Sequence, residues 1–111
     1  MNVSRFDKAL ASPGHNGTIL AMDVLPAGMR APFQHAWGHL EPHCTMEGHS
    51  HAHAEVYFFH SGTGTVIVGE EQAPASPGLV VEIPSDTWHT VQNDSDGELL
   101  WFALWWPPVT S

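Results

Sequence analysis

A chain of 111 residues holds one domain built on one core and is too short for two. Its three basic residues, Arg5, Lys8 and Arg30, stand against twelve acidic ones for a formal charge of −9, which argues against nucleic acid and anionic membranes as partners. The single cysteine, Cys44, has no internal disulfide partner, no apolar run approaches the ~18 residues of a membrane helix, and the opening segment lacks a secretory apolar stretch, so a cytoplasmic protein is expected.

Nine prolines and ten glycines punctuate the chain and leave no window for a long amphipathic helix. Residues 1–17, with Pro13-Gly14 and Asn16-Gly17, read as an arm. Short β-branched and aromatic runs follow at Thr18–Val24, Phe33–Leu40, Glu55–His60, Gly64–Val68, Leu79–Ile83, His89–Gln92 and Leu99–Trp106. Turn residues part them, at Pro26–Gly28, Ser61-Gly62, Gly69–Gln72, Ser76–Gly78 and Asn93–Gly97. Short strands at this spacing predict an all-β antiparallel sandwich or barrel over residues 18–108, with 109–111 as a tail.

The last run is apolar on both faces, and the sequence leaves open whether Leu99, Trp101, Ala103 and Trp105 or Leu100, Phe102, Leu104 and Trp106 point inward. A small barrel covers only one of them. The other needs the arm or a second copy of the chain, and a homodimer is the expectation.

The chemistry concentrates at Gly48–Phe59, where His49, His51, His53 and Glu55 share strand parity. Fully extended, the segment would spread over about 20 Å, too far for one ion, so a bend must return a histidine pair to the carboxylate. His49 and His51 with Glu55 is the simplest pairing; His51 and His53 with Glu55 stays open on spacing alone. Imidazole with carboxylate suits a borderline divalent ion such as Fe, Mn, Ni, Co or Zn.

These residues resemble the cupin superfamily. Its first motif runs Gly, five residues, His-x-His, three or four residues, Glu, six residues, Gly, and His49, His51, Glu55 and Gly62 fall in register. Its second runs Gly, five residues, Pro-x-Gly, two residues, His, three residues, Asn, matched by Gly78, Pro84, His89 and Asn93. Two pattern glycines are replaced, by His43 and Asp86; Asp tolerates turn geometry, and His43 is either a turn residue or a group at the mouth of a metal pocket. The resemblance implies a jelly-roll cupin barrel (an antiparallel double-stranded β-helix) with one divalent transition metal held by His49, His51, Glu55 and His89. It also takes His53 off the ion.

Three neutral nitrogens and a carboxylate leave two open octahedral positions, an elaboration of the facial triad of non-haem iron chemistry. The function expected is a small metal-dependent enzyme, oxygenase-type by preference, acting on a small oxygenated, largely apolar or aromatic molecule. The alternatives are a non-catalytic cupin that binds or senses a ligand or metal, and a metal-dependent isomerase or lyase. His39 and His43 are the candidate general acid or base. Tyr57 and Phe59, in phase with Glu55, Val91, in phase with His89, and Trp37 and Trp88 are candidate pocket walls. His60 should face away from the metal, Cys44 should be a buried inert thiol, and Asn93 should fix the turn after the metal strand.

Overall fold

Strands begin and end where the breakers fall. The computed structural model describes residues 1–109, so the expected 109–111 tail lies mostly outside the described residues. After a 3-10 turn at Lys8–Leu10, nine strands follow: β1 (Ser12–Gly14), β2 (Ile19–Met22), β3 (Gln34–Leu40), β4 (Ala54–Ser61), β5 (Gly64–Val68), β6 (Glu71–Ala75), β7 (Val80–Ile83), β8 (His89–Gln92) and β9 (Leu99–Trp106). Among the described residues there is no α-helix, and no helix long and apolar enough to cross a membrane.

Seven strands fall on the runs read from the sequence. The other two, β1 and β6, contain Pro13 and Pro74. Each is an edge strand, β1 paired only with β2 and β6 only with β5, where a residue without an N–H leaves no ladder bond unmade. Proline, a stop signal along the sequence, is thus harmless at these two edges.

The strands form an antiparallel six-stranded sheet, ordered β1-β2-β3-β9-β4-β7, and a three-stranded one, ordered β6-β5-β8. The segment between β3 and β4 joins the sheets through isolated bridges, Thr45 to Gln92 and His49 to His89. Between the sheets lies the core: Leu40, Tyr57, Phe59, Ile83, Leu99 and Trp101 from the large sheet, Val66, Ala75 and Val91 from the small one, and Met46 from the connecting segment. Each large apolar side chain so buried contributes about 1.5–3 kcal/mol.

β9 settles its parity by burial. Leu99, Trp101 and Ala103 are buried, whereas Leu100, Phe102, Leu104 and Trp106 are half-buried on the outer face. Gly38 on β3, opposite Trp101, makes this possible, because a Cβ there would collide with the indole. On the outer face, Phe58 stacks on Phe102 with centroids 4.7 Å apart, and Trp37 meets Phe6, His60 and Phe102 edge-on. The arm reaches this face through Phe6 and Lys8, beside Trp37 and His39.

Candidate metal centre

The bend required by the spacing lies between His51 and β4. His49 is pinned to the first residue of β8 by reciprocal backbone bonds, His49 N–H to the His89 carbonyl at 3.1 Å and His89 N–H to the His49 carbonyl at 2.9 Å. Gly48 allows this approach: a Cβ there would strike the Trp88 indole, which lies over it. Asp86, in left-handed geometry with φ 59°, donates its N–H to the His51 carbonyl at 2.7 Å and ties the second motif to the first. Glu55 enters from β4, buried, on the inner face.

His49, His51 and His89 each offer a ligand atom, all within 4.8 Å of one another. Their tautomers follow from their other nitrogens. Nδ1 of His49 lies 3.1 Å from the Glu47 carbonyl, Nδ1 of His51 2.9 Å from the His53 carbonyl, and Nδ1 of His89 2.9 Å from the Thr87 carbonyl. A carbonyl only accepts, so each Nδ1 carries a proton and Nε2 is the ring nitrogen turned toward the centre. Burial, the largest influence, holds the pKa of His49 below the ordinary imidazole value.

Glu55 completes the set, with Oε1 3.0 Å from Nε2 of His51 and 3.4 Å from Nε2 of His89. Nε2 of His89 is fully buried and has no hydrogen-bond partner. Glu55 Oε1 and Nε2 of His51 share a hydrogen bond, and a cation among the donors would take the place of that proton. The donors fit a divalent transition ion, with their outer nitrogens oriented as metal-ligating imidazoles require.

The cluster opens on a cavity of about 240 Å³ lined by the large sheet and the segment between β3 and β4. Its walls include His15, Met46, Tyr57, Trp101 and Trp105, and no Lys or Arg lines it. Burial keeps the Tyr57 phenol protonated well above its ordinary pKa, so it is a neutral group at neutral pH. His53 also borders the cavity; its carbonyl orients His51 and its ring stacks on the His51 ring with centroids 4.3 Å apart.

The other predicted residues are placed differently. Trp37 touches the cavity, but its ring packs on the outer face. Phe59 and Val91 belong to the core and do not line the cavity, and Trp88 is half exposed over Gly48. His43 sits in a turn at φ 59°, exposed, with Nε2 2.7 Å from Asp96 Oδ1. Of its two sequence-derived roles, the structure shows the turn. His39 points to the outer face, opposite Leu100. Neither His39 nor His43 is brought to the cluster. Cys44, expected to be buried, is exposed, because the left-handed turn at His43 puts it outside and only Met46 turns inward.

His60 is exposed and packs against Trp37, away from Glu55, as its parity predicts. Asn93 is buried, with Nδ2 near the Leu40, Glu41 and Gly97 carbonyls at 3.2, 3.1 and 2.8 Å. Its Oδ1 accepts from Ser95 N–H and Oγ at 3.1 and 2.7 Å, so it fixes the β8–β9 turn against the end of β3. The sequence does not point to His15, whose ring lies 4.1 Å from that of His49. Its one signal is Asn16-Gly17: a tight turn there makes a hairpin of β1 and β2 and carries His15, at φ 47°, over the cavity.

A two-sheet jelly roll with three imidazoles and a carboxylate converging on an apolar cavity is a metal-pocket barrel. The chain belongs to the cupin family: the Cupin_2 family model, a cupin domain, matches residues 36–106. Comparison with curated proteins gives no match. Among solved structures, a Cupin 2 conserved barrel domain protein from Salinispora arenicola is 25% identical, with a TM-score of 0.83 over 96% of this chain and 88% of that one. A protein from Photorhabdus luminescens is 27% identical, with a TM-score of 0.81 and coverage of 96% and 88%. A predicted oxalate decarboxylase from Thermotoga maritima is 20% identical, with a TM-score of 0.72 and 81% of each chain covered. At that identity the last is a likeness of fold alone.

Proposed function

We propose that this cupin is a divalent-metal-dependent enzyme of the oxygenase type, with His49, His51, Glu55 and His89 as ligands and a small, largely apolar or aromatic oxygenated molecule as substrate. The observation that carries the metal is the set of three Nδ1 atoms anchored to carbonyls, which turns three Nε2 atoms toward one place. When bound, a redox-active divalent ion supplies Lewis acidity and electron transfer beside two open positions.

The chain's own residues do the rest. Apolar walls, among them Ile19, Ala36, Met46 and Ala103, exclude water and select apolar substrate surface. A cavity of about 240 Å³ lies below the roughly 300–1,000 Å³ of pockets for drug-sized ligands and suits a smaller molecule. Without Lys or Arg on its walls it has no clamp for a phosphate group. Besides the ligands, Tyr57, His15 and His53 line the cavity, and they are our candidates to contact a substrate oxygen.

The oxygenase preference rests on the ligand set. His39 and His43, the candidate general bases for isomerisation or lyase chemistry, lie away from the cluster, and the imidazoles that share the cavity with it are His15 and His53. Oxygen chemistry at a ligand set of this kind needs only two adjacent open positions. The test is oxygen uptake by the iron-loaded protein across a panel of diketones, phenols and hydroxy acids. Substrate-dependent uptake that is lost in His51→Ala supports the proposal. A blank panel, with a small aromatic ligand still raising the melting temperature, gives the site to a binding protein instead.

We also infer a homodimer through the outer face of the large sheet. Val56, Phe58, Leu100, Phe102, Leu104 and Trp106 form an apolar field there, and the arm's Phe6 reaches only its β3 side. A charge of −9 leaves a second copy's matching apolar field a better occupant than an anionic surface.

A further inference from the structure

A second group of metal-ligating side chains meets outside the cavity. His39 on β3, Glu41 just beyond it and Glu98 just before β9 each offer a ligand atom, all within 4.8 Å of one another. The group lies on the outer face of the large sheet, because His39 pairs with Leu100 while its neighbour Gly38 faces the Trp101 ring inside.

His39 is 2% exposed, and neither of its ring nitrogens has a hydrogen-bond partner. Its Nε2 lies 3.4 Å from Glu98 Oε1 but lacks the alignment of a hydrogen bond. A buried imidazole left in this state is costly, and its unsatisfied nitrogen points among carboxylates. One face of the ring is closed by Phe6 of the arm, stacked at 5.5 Å between centroids.

A cation already stands beside this group. Lys8 Nζ is 2.9 Å from Glu98 Oε1 and touches Glu41 Oε1. The exchange raises the Lys8 pKa, chiefly through Glu41, and lowers that of Glu98, chiefly through Lys8. The ammonium neutralises two carboxylates and leaves the imidazole with only the long 3.4 Å contact to Glu98 Oε1. An ion that accepts both nitrogen and oxygen donors would serve all three.

We propose that His39, Glu41 and Glu98 form a second divalent-cation site, and that Lys8 is the competing cation that closes it when no ion is bound. Zinc suits the site, since it takes imidazole and carboxylate in a tetrahedral set and leaves its fourth position to water. A cavity of about 230 Å³, with His39, Glu41 and Cys44 among its lining residues, borders the site. Entry expels the Lys8 ammonium, so zinc binding is coupled to release of the arm that carries Phe6 and the Lys8–Leu10 turn. The site does not depend on the function of the first cluster.

The test is a calorimetric titration with Zn²⁺ of the full-length His49→Ala/His51→Ala double variant, in which the first cluster is broken and only the second is read. Uptake of one equivalent is expected. Adding Lys8→Ala tightens binding by about three- to tenfold, the equivalent of two exposed ion pairs. Adding Glu98→Gln, at an exposed position where folding is not at stake, weakens it by about tenfold or more. Failure of the Lys8→Ala triple variant to take up Zn²⁺, or an affinity unmoved by Glu98→Gln, overturns the site. An affinity unmoved by Lys8→Ala overturns the competition.

Discussion

Two histidine–carboxylate clusters occupy opposite faces of one β-sheet, and they differ in what holds the imidazoles. Inside, His49, His51 and His89 are each fixed by a carbonyl on Nδ1, so tautomer and ring direction are set before any ion arrives. Outside, His39 has no such anchor, and an ammonium from the arm stands beside its carboxylate neighbours. The donor types are the same, and the surroundings set the expected strengths. The inner cluster should bind tightly with little reorganisation, the outer one weakly and only after Lys8 leaves.

Breaking the inner cluster has the largest expected effect. His51→Ala or Glu55→Gln should weaken inner-site metal affinity by more than about 100-fold, beyond the 10–100-fold typical of losing an orienting partner alone. Zn²⁺ uptake at the outer cluster should be unchanged, as calorimetry on each variant can show. Equal losses at both sites would mean that the clusters are not independent.

Next comes Asn93, which frames the outer cluster by holding the Glu41 carbonyl and the Gly97 carbonyl beside Glu98. Asn93→Ala strands the buried Leu40 carbonyl and two part-buried ones and should cost about 2–3 kcal/mol in urea unfolding. A cost below roughly 0.5 kcal/mol would show that water replaces the amide.

Metal removal should act through the inner cluster alone. A ligand at 100 times its Kd adds about 2.7 kcal/mol, so chelation should lower the melting temperature by roughly 10 °C for a domain of this size. His51→Ala should abolish that difference, and Glu98→Gln should leave it intact.

The smallest effect belongs to the Lys8 latch and its pH dependence. Glu98 has a lowered pKa, so its contribution is present above the ordinary carboxylate pKa and is lost as pH falls through the lowered value. Lys8 has a raised pKa, so its contribution holds below the ordinary lysine value and is lost as pH rises through the raised one. Hydrogen exchange at Ala11, whose N–H donates to the Lys8 carbonyl at 3.3 Å, should be slowest between those limits and quicken at both ends. Exchange indifferent to pH after correction for the intrinsic rate would place the arm's hold in Phe6 alone.

The grouping of His49, His51 and His89 was legible through the cupin motifs, since spacing alone left His53 as an alternative: His-x-His, a short bend and a carboxylate on the following strand lie within seven residues, and His89 follows its own turn. His43 and Asp86 confirm the turns behind that spacing, for both adopt the left-handed φ of 59° that glycine would supply. What lay beyond the sequence were relations across strands. The inward parity of β9 depends on Gly38 making room for Trp101, and His39 faces outward because β3 keeps register with β9. Prolines at the edges hid β1 and β6, and with β1 the hairpin that brings His15 to the cavity.

We propose that the inner cluster holds a transition metal through three Nε2 atoms and Glu55. Elemental analysis of protein purified without added metal and dialysed, compared between the wild type and His49→Ala/His51→Ala, tests it most directly. About one equivalent of a single transition ion in the wild type, retained through dialysis and nearly absent in the double variant, is the predicted result. A metal-free wild type that also takes up no Fe, Mn, Ni, Co or Zn on titration, or equal metal content in both proteins, would contradict it.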